Sequence, residues 1–287
     1  MLAQLLLNGL VTGLVLALPA LALTLIFGIL KFPNFAIGGM LTMGAYLAWV
    51  FNTLAGLPLL VATVLAAGSL ALVAVLCDMA AFAHLRDRGA ITLLVASIGL
   101  SFVLENICRF AFGNDARNFD IAVARPIRWQ GLRVNHEQLV TVAAVLGCLA
   151  LLYLLLRLTP LGRAMRAMAD NASLAAVRGI DQTRVTRITW VIIGVLTALA
   201  GVLVGLDRAI DPLLGWNYQI NMFAAAILGG LGSVLGAVVG ALIIGVVEEV
   251  ATLVLPINYR QAIAFLAIVL LLLFRPHGLF GRRAIRK

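Results

Sequence analysis

The sequence predicts an all-α polytopic membrane protein, and three observations predict it. The 287 residues are 63% hydrophobic and only 11% charged, with a mean hydropathy of +1.10. Soluble domains carry about 25% charged residues, so too few polar groups exist here to coat a water-facing surface. The apolar residues also fall in runs long enough to cross a bilayer, where about 20 residues at about 1.5 Å each match a core of about 30 Å. Finally, the excess of positive charge, net +9, sits in a few short polar breaks and the C-terminal tail. That is the positive-inside bias of membrane chains. It is not a nucleic-acid surface, since no basic stripe is interleaved with stacking aromatics. One transmembrane domain over 1–287 with about eight hydrophobic segments, some discontinuous or re-entrant, is the expected architecture.

The first segment covers residues 5–30 and contains Pro19, which membrane helices tolerate. Gly9 and Gly13 make a small-xxx-small pair for close helix contact. With no Lys or Arg before Lys31, the segment reads as a mature helix and not as a secretory signal. Residues 31–39, KFPNFAIGG, interrupt the apolar flow. Pro33 disfavours helix at Phe32. Asn34 offers an amide, and Gly38-Gly39 permits close backbone approach. Two readings fit: a plain loop, or a discontinuous helix whose backbone faces a substrate.

Spans follow at 40–51 and 59–77, then Asp78 and a short charged loop, HLRDR, at 84–88. The span at 90–110 carries Ser97, Gly99 and Ser101 in its middle, then Glu105, Asn106 and Arg109. Glu105 and Arg109 have the favourable i,i+4 order, which fits a neutralised pair at a helix end. Ionisable groups inside spans also mark substrate pathways. The 113–137 loop is hydrophilic, with an alternation at 127–134 that suits a small hairpin. Residues 138–156 and 188–206 are spans.

Residues 212–247 carry no charge. A half-helix at 219–229, a turn at Gly229, Gly230 and Gly232, and a helix at 233–254 are expected. Gly232, Gly236 and Gly240 share one face for tight packing. The same glycines suit a pathway lined by backbone. Glu248 and Glu249 precede Pro256, and 260–274 is the last span. The tail adds five Lys or Arg and no acid.

Between two spans lies 157–187, with six Arg against Asp170 and Asp181. Thr159-Pro160 is a helix start. Leu161, Met165, Met168 and Ala172 share one helical face, with Arg163, Arg166, Asp170 and Ser173 opposite. Asn171 caps a short second helix, Gly179 suits its left-handed end, and Asp181 caps the next span. Charge places this loop and the tail in the cytoplasm. Parity then puts 113–137 outside and requires an odd number of crossings after residue 208. The side of the N-terminus is left open.

Some chemistry has no support. No GxxxxGK[ST], HExxH or GxSxG motif occurs. Cys77, Cys108 and Cys148 form no CxxC and read as buried hydrophobes. No catalytic residue and no metal site is expected.

Five stretches carry a resemblance: LGRAMRAMADNASLAAVRGID, a following span ending ALAGVLVG, FGILKFPNFAIGGMLTMGAYLA, LLVASIGLSFVLEN and AAAILGGLGSVLGAVVGALIIGVVEE. Across nearly its whole length the chain resembles the branched-chain amino acid ABC transporter permeases of the LivH type. The family's coupling-loop glycine matches Gly179, but its glutamate position falls near Ser173. The family's NFAHG-like segment reads NFAIGG. The resemblance implies an importer in a bacterial inner membrane. A LivM-type permease or a second copy pairs with this chain, two cytoplasmic ATPases hold ATP and Mg, and an extracytoplasmic protein delivers substrate. No cofactor is expected on this chain.

Substrate-pathway residues are expected at Asn34, Phe35, Gly38, Gly39, Ser97, Gly99, Gly229, Gly230 and Gly232. ATPase coupling is expected at Leu161, Arg163, Arg166, Asp170, Ser173 and Gly179. Cargo of the same class, namely urea, short amides or aromatic acids, is one alternative. A stand-alone secondary transporter using Glu105 or Glu248 is another.

Overall fold

The computed structural model describes residues 2–121, 127–129, 132–253, 256, 260–275 and 278–281. Arg125 and the basic residues at 282–287 lie outside the described residues. Helix α1 (Leu2–Leu30) runs through Pro19 without stopping. Helix α2 (Ala36–Trp49) is extended by a π-helical turn at Val50–Leu54. Helix α3 (Leu59–Cys77) continues through a π turn at Asp78–Phe82, the short α4 (Ala83–Leu85) and a 3-10 turn at Arg86–Arg88. The HLRDR stretch is therefore helical, where a loop was expected. Asp78 explains why: both of its carboxylate oxygens accept from Arg86 Nη2, at 2.5 and 2.6 Å, and Asp78 is buried. The pair keeps the helix wound until Gly89, whose positive φ ends it.

Helix α5 (Ala90–Phe112) leads to the hairpin β1 (Ile127–Trp129) and β2 (Leu132–Val134), with Ile127 opposite Val134. Helix α6 (His136–Leu158) starts with a capping box, Asn135 with Gln138. Helices α7 (Pro160–Asp170) and α8 (Ala172–Val177) follow, then α9 (Gln182–Asp207). Helix α10 (Leu214–Gly229), α11 (Val234–Ala251) and α12 (Arg260–Phe274) complete the order. Among the described residues, seven helices are long and apolar enough to cross a membrane; α10 and α12 are shorter, at 16 and 15 residues.

Sidedness within the fold follows from hydrogen bonds at the helix ends. At the start of α1, Gln4 Nε2 donates to Arg133 O and Gln4 Oε1 accepts from Arg133 N, each at 2.9 Å. At its end, Lys31 Nζ donates to Ala169 O of α7 at 2.6 Å. The hairpin and α7 therefore lie on opposite faces of the fold, and the N-terminus is on the hairpin face. Helix α2 returns to that face, where Asn52 Oδ1 accepts from Asp120 N. Helix α11 runs antiparallel to α1: a Cβ on Gly9 would meet Val246, and one on Gly13 would meet Leu242, each 2.8 Å from Cα. The segment 278–281 packs at the end of α10, on the α7 face. Three helices, α10, α11 and α12, thus separate the hairpin face from the tail, as the charge parity required.

The most buried elements are α1, α2 and α9. Trp190 on α9 is wholly buried and stacks on Phe82 at 5.1 Å. Around this centre α3, α5 and α6 turn Leu, Val, Ile and Phe outward, as lipid-facing helices do, because helices satisfy their own backbone and need only an apolar coat.

Candidate functional site

Midway across the fold the chain breaks where 31–39 was expected to. Asn34 Oδ1 accepts from Ala36 N at 2.8 Å, an Asx turn that starts α2. Further N–H groups of this helix start are met from α5. Phe35 N donates to Ser97 Oγ, and Gly39 N donates to Ser101 Oγ, each at 3.0 Å. Ser97 and Ser101 are four residues apart, so both lie on one buried face of α5. Ser101 Oγ in turn donates to Glu105 Oε1 at 3.1 Å. Glu105 is buried and turned to this serine. Among the described residues it makes no ion pair with Arg109, which the i,i+4 spacing had suggested.

Helix α10 closes the other side. Gly215 N donates to Thr42 Oγ1 at 2.8 Å, and Gln219 Nε2 donates to Phe35 O at 3.0 Å. Gly38 and Gly215 touch through their backbones, where side chains would collide. Two polar atoms inside this knot have no partner among the described residues: Asn34 Nδ2 and Gln219 Oε1. Both residues are buried, at 0% and 3% exposure. Such groups in a low-dielectric interior are costly to leave unpaired.

Beside the knot lies a half-open aromatic face. Phe35 stacks on Phe223 at 4.5 Å, and Phe102 stacks on Trp216 at 5.4 Å. Phe102 is 46% exposed and Trp216 41%. Asn106, one turn beyond Phe102, is exposed at span depth, with its amide donating to Phe102 O. An exposed amide at that depth suits a protein-lined path better than lipid.

Of the expected pathway residues, Asn34, Phe35, Gly38, Gly39 and Ser97 are brought together. Gly99 is not: it lies on the outer side of α5, with open space around it. Gly229, Gly230 and Gly232 are also elsewhere. Gly229 packs backbone to backbone against Gly236 of α11. Gly230, at φ 101°, turns the chain under the tail, where Leu279 N and Phe280 N donate to Leu228 O and Gly229 O. From Gln219 to Gly229 is about 15 Å along the helix. Thr42, Gln219, Phe102, Trp216 and Phe223 join the site without having been expected. A lone polar residue or aromatic in an apolar run carries no local signal of its partner. Glu248 is remote from the knot. It is buried on α11, beside a cavity of about 150 Å³ on the hairpin face lined by Asn8, Gln138, Asp207, Arg208, Tyr218 and Glu249.

The second site is α7–α8. Thr159 Oγ1 accepts from Gly162 N at 3.1 Å, Asn171 Oδ1 from Leu174 N at 3.0 Å, and Asp181 Oδ1 from Arg184 N at 3.0 Å. Gly179, at φ 82°, closes α8: its N–H donates to Ala176 O, and Ile180 N to Ala175 O, the paired bonds of a Schellman end. Met165 and Met168 are buried and Leu161 packs beside them, while Arg163 and Arg166 are exposed and Asp170 and Ser173 reach the surface. Arg166 Nη1 also donates to Leu156 O at the end of α6. Leu174 and Val177, not singled out in the sequence, stand 55% and 84% exposed on α8.

Comparison with known proteins covers the whole arrangement. Residues 5–273 match the family model described as branched-chain amino acid transport system / permease component. The chain is 31% identical to the high-affinity branched-chain amino acid transport system permease protein BraD of Pseudomonas aeruginosa, over 99% of this chain and 97% of that one. It is 30% identical to LivH of Escherichia coli K12, over 98% and 96%. It also resembles, at 13% identity and a TM-score of 0.51, a chain of the PsaBC–Fab complex from Streptococcus pneumoniae, covering 95% of this chain and 92% of that one; this likeness concerns the fold alone. With a knot at mid-span, a capped polar helix pair on one face and a full-length match to its model, the chain belongs to the branched-chain amino acid transport permease family.

Proposed function

We propose that this chain is one permease half of an ATP-driven importer for branched-chain or related hydrophobic amino acids in a bacterial inner membrane. A second permease, of the LivM type or a second copy, completes the path. Two cytoplasmic ATPases carrying ATP and Mg drive it, and an extracytoplasmic binding protein loads it. The full-length likeness to permeases named for these amino acids supports the cargo. The observation that carries the reading is the half-open aromatic face of Phe35, Phe223, Phe102 and Trp216 beside a polar knot. Aliphatic side chains gain contact on such rings, while buried amides wait for polar ends. Exposed Leu174 and Val177 on α8, with exposed Arg178 next in the chain and exposed Arg163 and Arg166 on α7, offer the ATPase an apolar hold and basic side chains on the same helix pair.

The test is uptake by vesicles containing the whole complex. Leucine accumulation is expected to require ATP. Phe102→Ala and Trp216→Ala each remove aromatic contact worth about 0.5–1.5 kcal/mol, so leucine transport should fall about 2- to 10-fold while alanine transport changes less. Accumulation without ATP, or preference for urea or benzoate over leucine, sinks the proposal.

A further inference from the structure

Lys31 is the one non-glycine residue at positive φ (58°) among the described residues. It ends α1, its N–H donating to Phe27 O at 3.0 Å. Glycine or asparagine fills a left-handed helix end with less strain than lysine, so the backbone alone does not account for this residue. Its side chain does: Nζ donates to Ala169 O, in the last turn of α7, at 2.6 Å. A cation at a helix C-terminus is favourably placed against the helix dipole.

The segment after Lys31 has no slack. Phe32 is wholly buried and packs its ring at a tilt against Phe82 at 5.6 Å, and Phe82 stacks on Trp190. Pro33 holds one φ. Asn34 and Phe35 are bonded into the α2 start and to Ser97. An extended stretch from Lys31 to Phe35 spans at most about 17 Å. It joins the polar surface of α7 directly to the mid-span knot.

From this geometry we infer that Lys31 is the tie through which displacement of α7 reaches Asn34–Gly39 and rearranges the knot. When α7 shifts, the tethered segment cannot take up the motion by uncoiling. Its N-terminal end follows α7 while Phe32 pivots on Phe82. The hydrogen bonds that Ser97, Ser101 and Gln219 make to this segment are then the ones that exchange. Asn34 Nδ2 and Gln219 Oε1, unpartnered in this arrangement, are the groups that such an exchange brings into use. Lys31 is thus a positioning residue, and its assignment rests on the ATP-driven reading above.

The complete complex in vesicles tests it, reading ATP hydrolysis and leucine uptake together. Lys31→Met and Lys31→Gly are compared, the second keeping the backbone conformation at ease. Both should retain hydrolysis within about twofold and lose uptake per ATP by at least about tenfold, and Lys31→Arg should keep at least about half. In a background with Cys77, Cys108 and Cys148 replaced, Asn34→Cys should change its thiol reactivity on vanadate trapping, and should not do so when combined with Lys31→Gly. Wild-type coupling in both Lys31→Met and Lys31→Gly, or equal loss in Lys31→Arg, overturns the tie while leaving the importer intact. Absence of ATP-driven uptake in the wild-type complex overturns the importer reading and the tie with it.

Discussion

At Gly39 the distance between α2 and α5 is set by a side chain that is not there. A Cβ at this position would stand 2.7 Å from Ser101 O and 2.9 Å from Ser101 Cα. Both are backbone atoms of a helix and cannot swing aside. Gly39→Ala should therefore push the helices apart and break the bond from Gly39 N to Ser101 Oγ, at an overpacking cost of about 1–3 kcal/mol. Thermal unfolding of the purified variant should begin at a lower temperature than for the wild type, whereas Gly99→Ala, which meets open space, should not move it. Equal unfolding of Gly39→Ala and wild type would show that the contact is looser than described. The same pair of glycines shows what was legible. Asn34, Gly38, Gly39 and Ser97 stood out as polar or small residues in apolar runs. Gly99 stood out for the same reason, but two residues along a helix is about 200° of rotation, which carries it away from the knot.

At the scale of elements, helix ends were readable and helix partners were not. Thr159, Asn171, Gly179 and Asp181 act on backbone groups within three or four residues, so the boundaries of α7, α8 and the start of α9 fall where the caps fall. Within the wound stretch Asp78–Arg88, residues 84–88 read as a loop because charge usually means solvent. Here the charge on Asp78 is answered by Arg86, eight residues away. Leu174 and Val177 escaped notice because α8 is too short to show a periodicity. Their exposure leads to a prediction for this element: Leu174→Asp with Val177→Asp should leave expression and unfolding of the permease unchanged. It should abolish co-purification of the ATPase subunits. Undiminished co-purification counts against α8 as the docking element. Since both side chains already lie at the surface, surface substitutions of this kind alter stability by about 0.5 kcal/mol or less, and loss of the partner would not be a folding artefact.

For the molecule as a whole, the arrangement of faces can be tested directly. The N-terminus shares a face with the hairpin, through Gln4 and Arg133, and α7 occupies the opposite one. From the basic residues on the α7 face we propose that it is the cytoplasmic one. In the cysteine-replaced background, Ala3→Cys should react with an impermeant thiol reagent from outside intact cells, and Ser173→Cys only after the membrane is opened. Labelling of both from the same side contradicts the topology. Hydropathy, charge bias and caps by themselves determined the class, the spans, the polar helix pair α7–α8 and the odd number of crossings after residue 208, because each is a property of one stretch of chain in water or lipid. The side of the N-terminus, the turning of Glu105 to Ser101, the meeting of Gly215 and Gln219 of α10 with Thr42 and Phe35, and the burial of Gly229 and Gly230 against α11 and the tail were decided only by tertiary structure. Each depends on which helix faces pack together, and close approach between residues as distant as Thr42 and Gly215 leaves no pattern in either stretch alone.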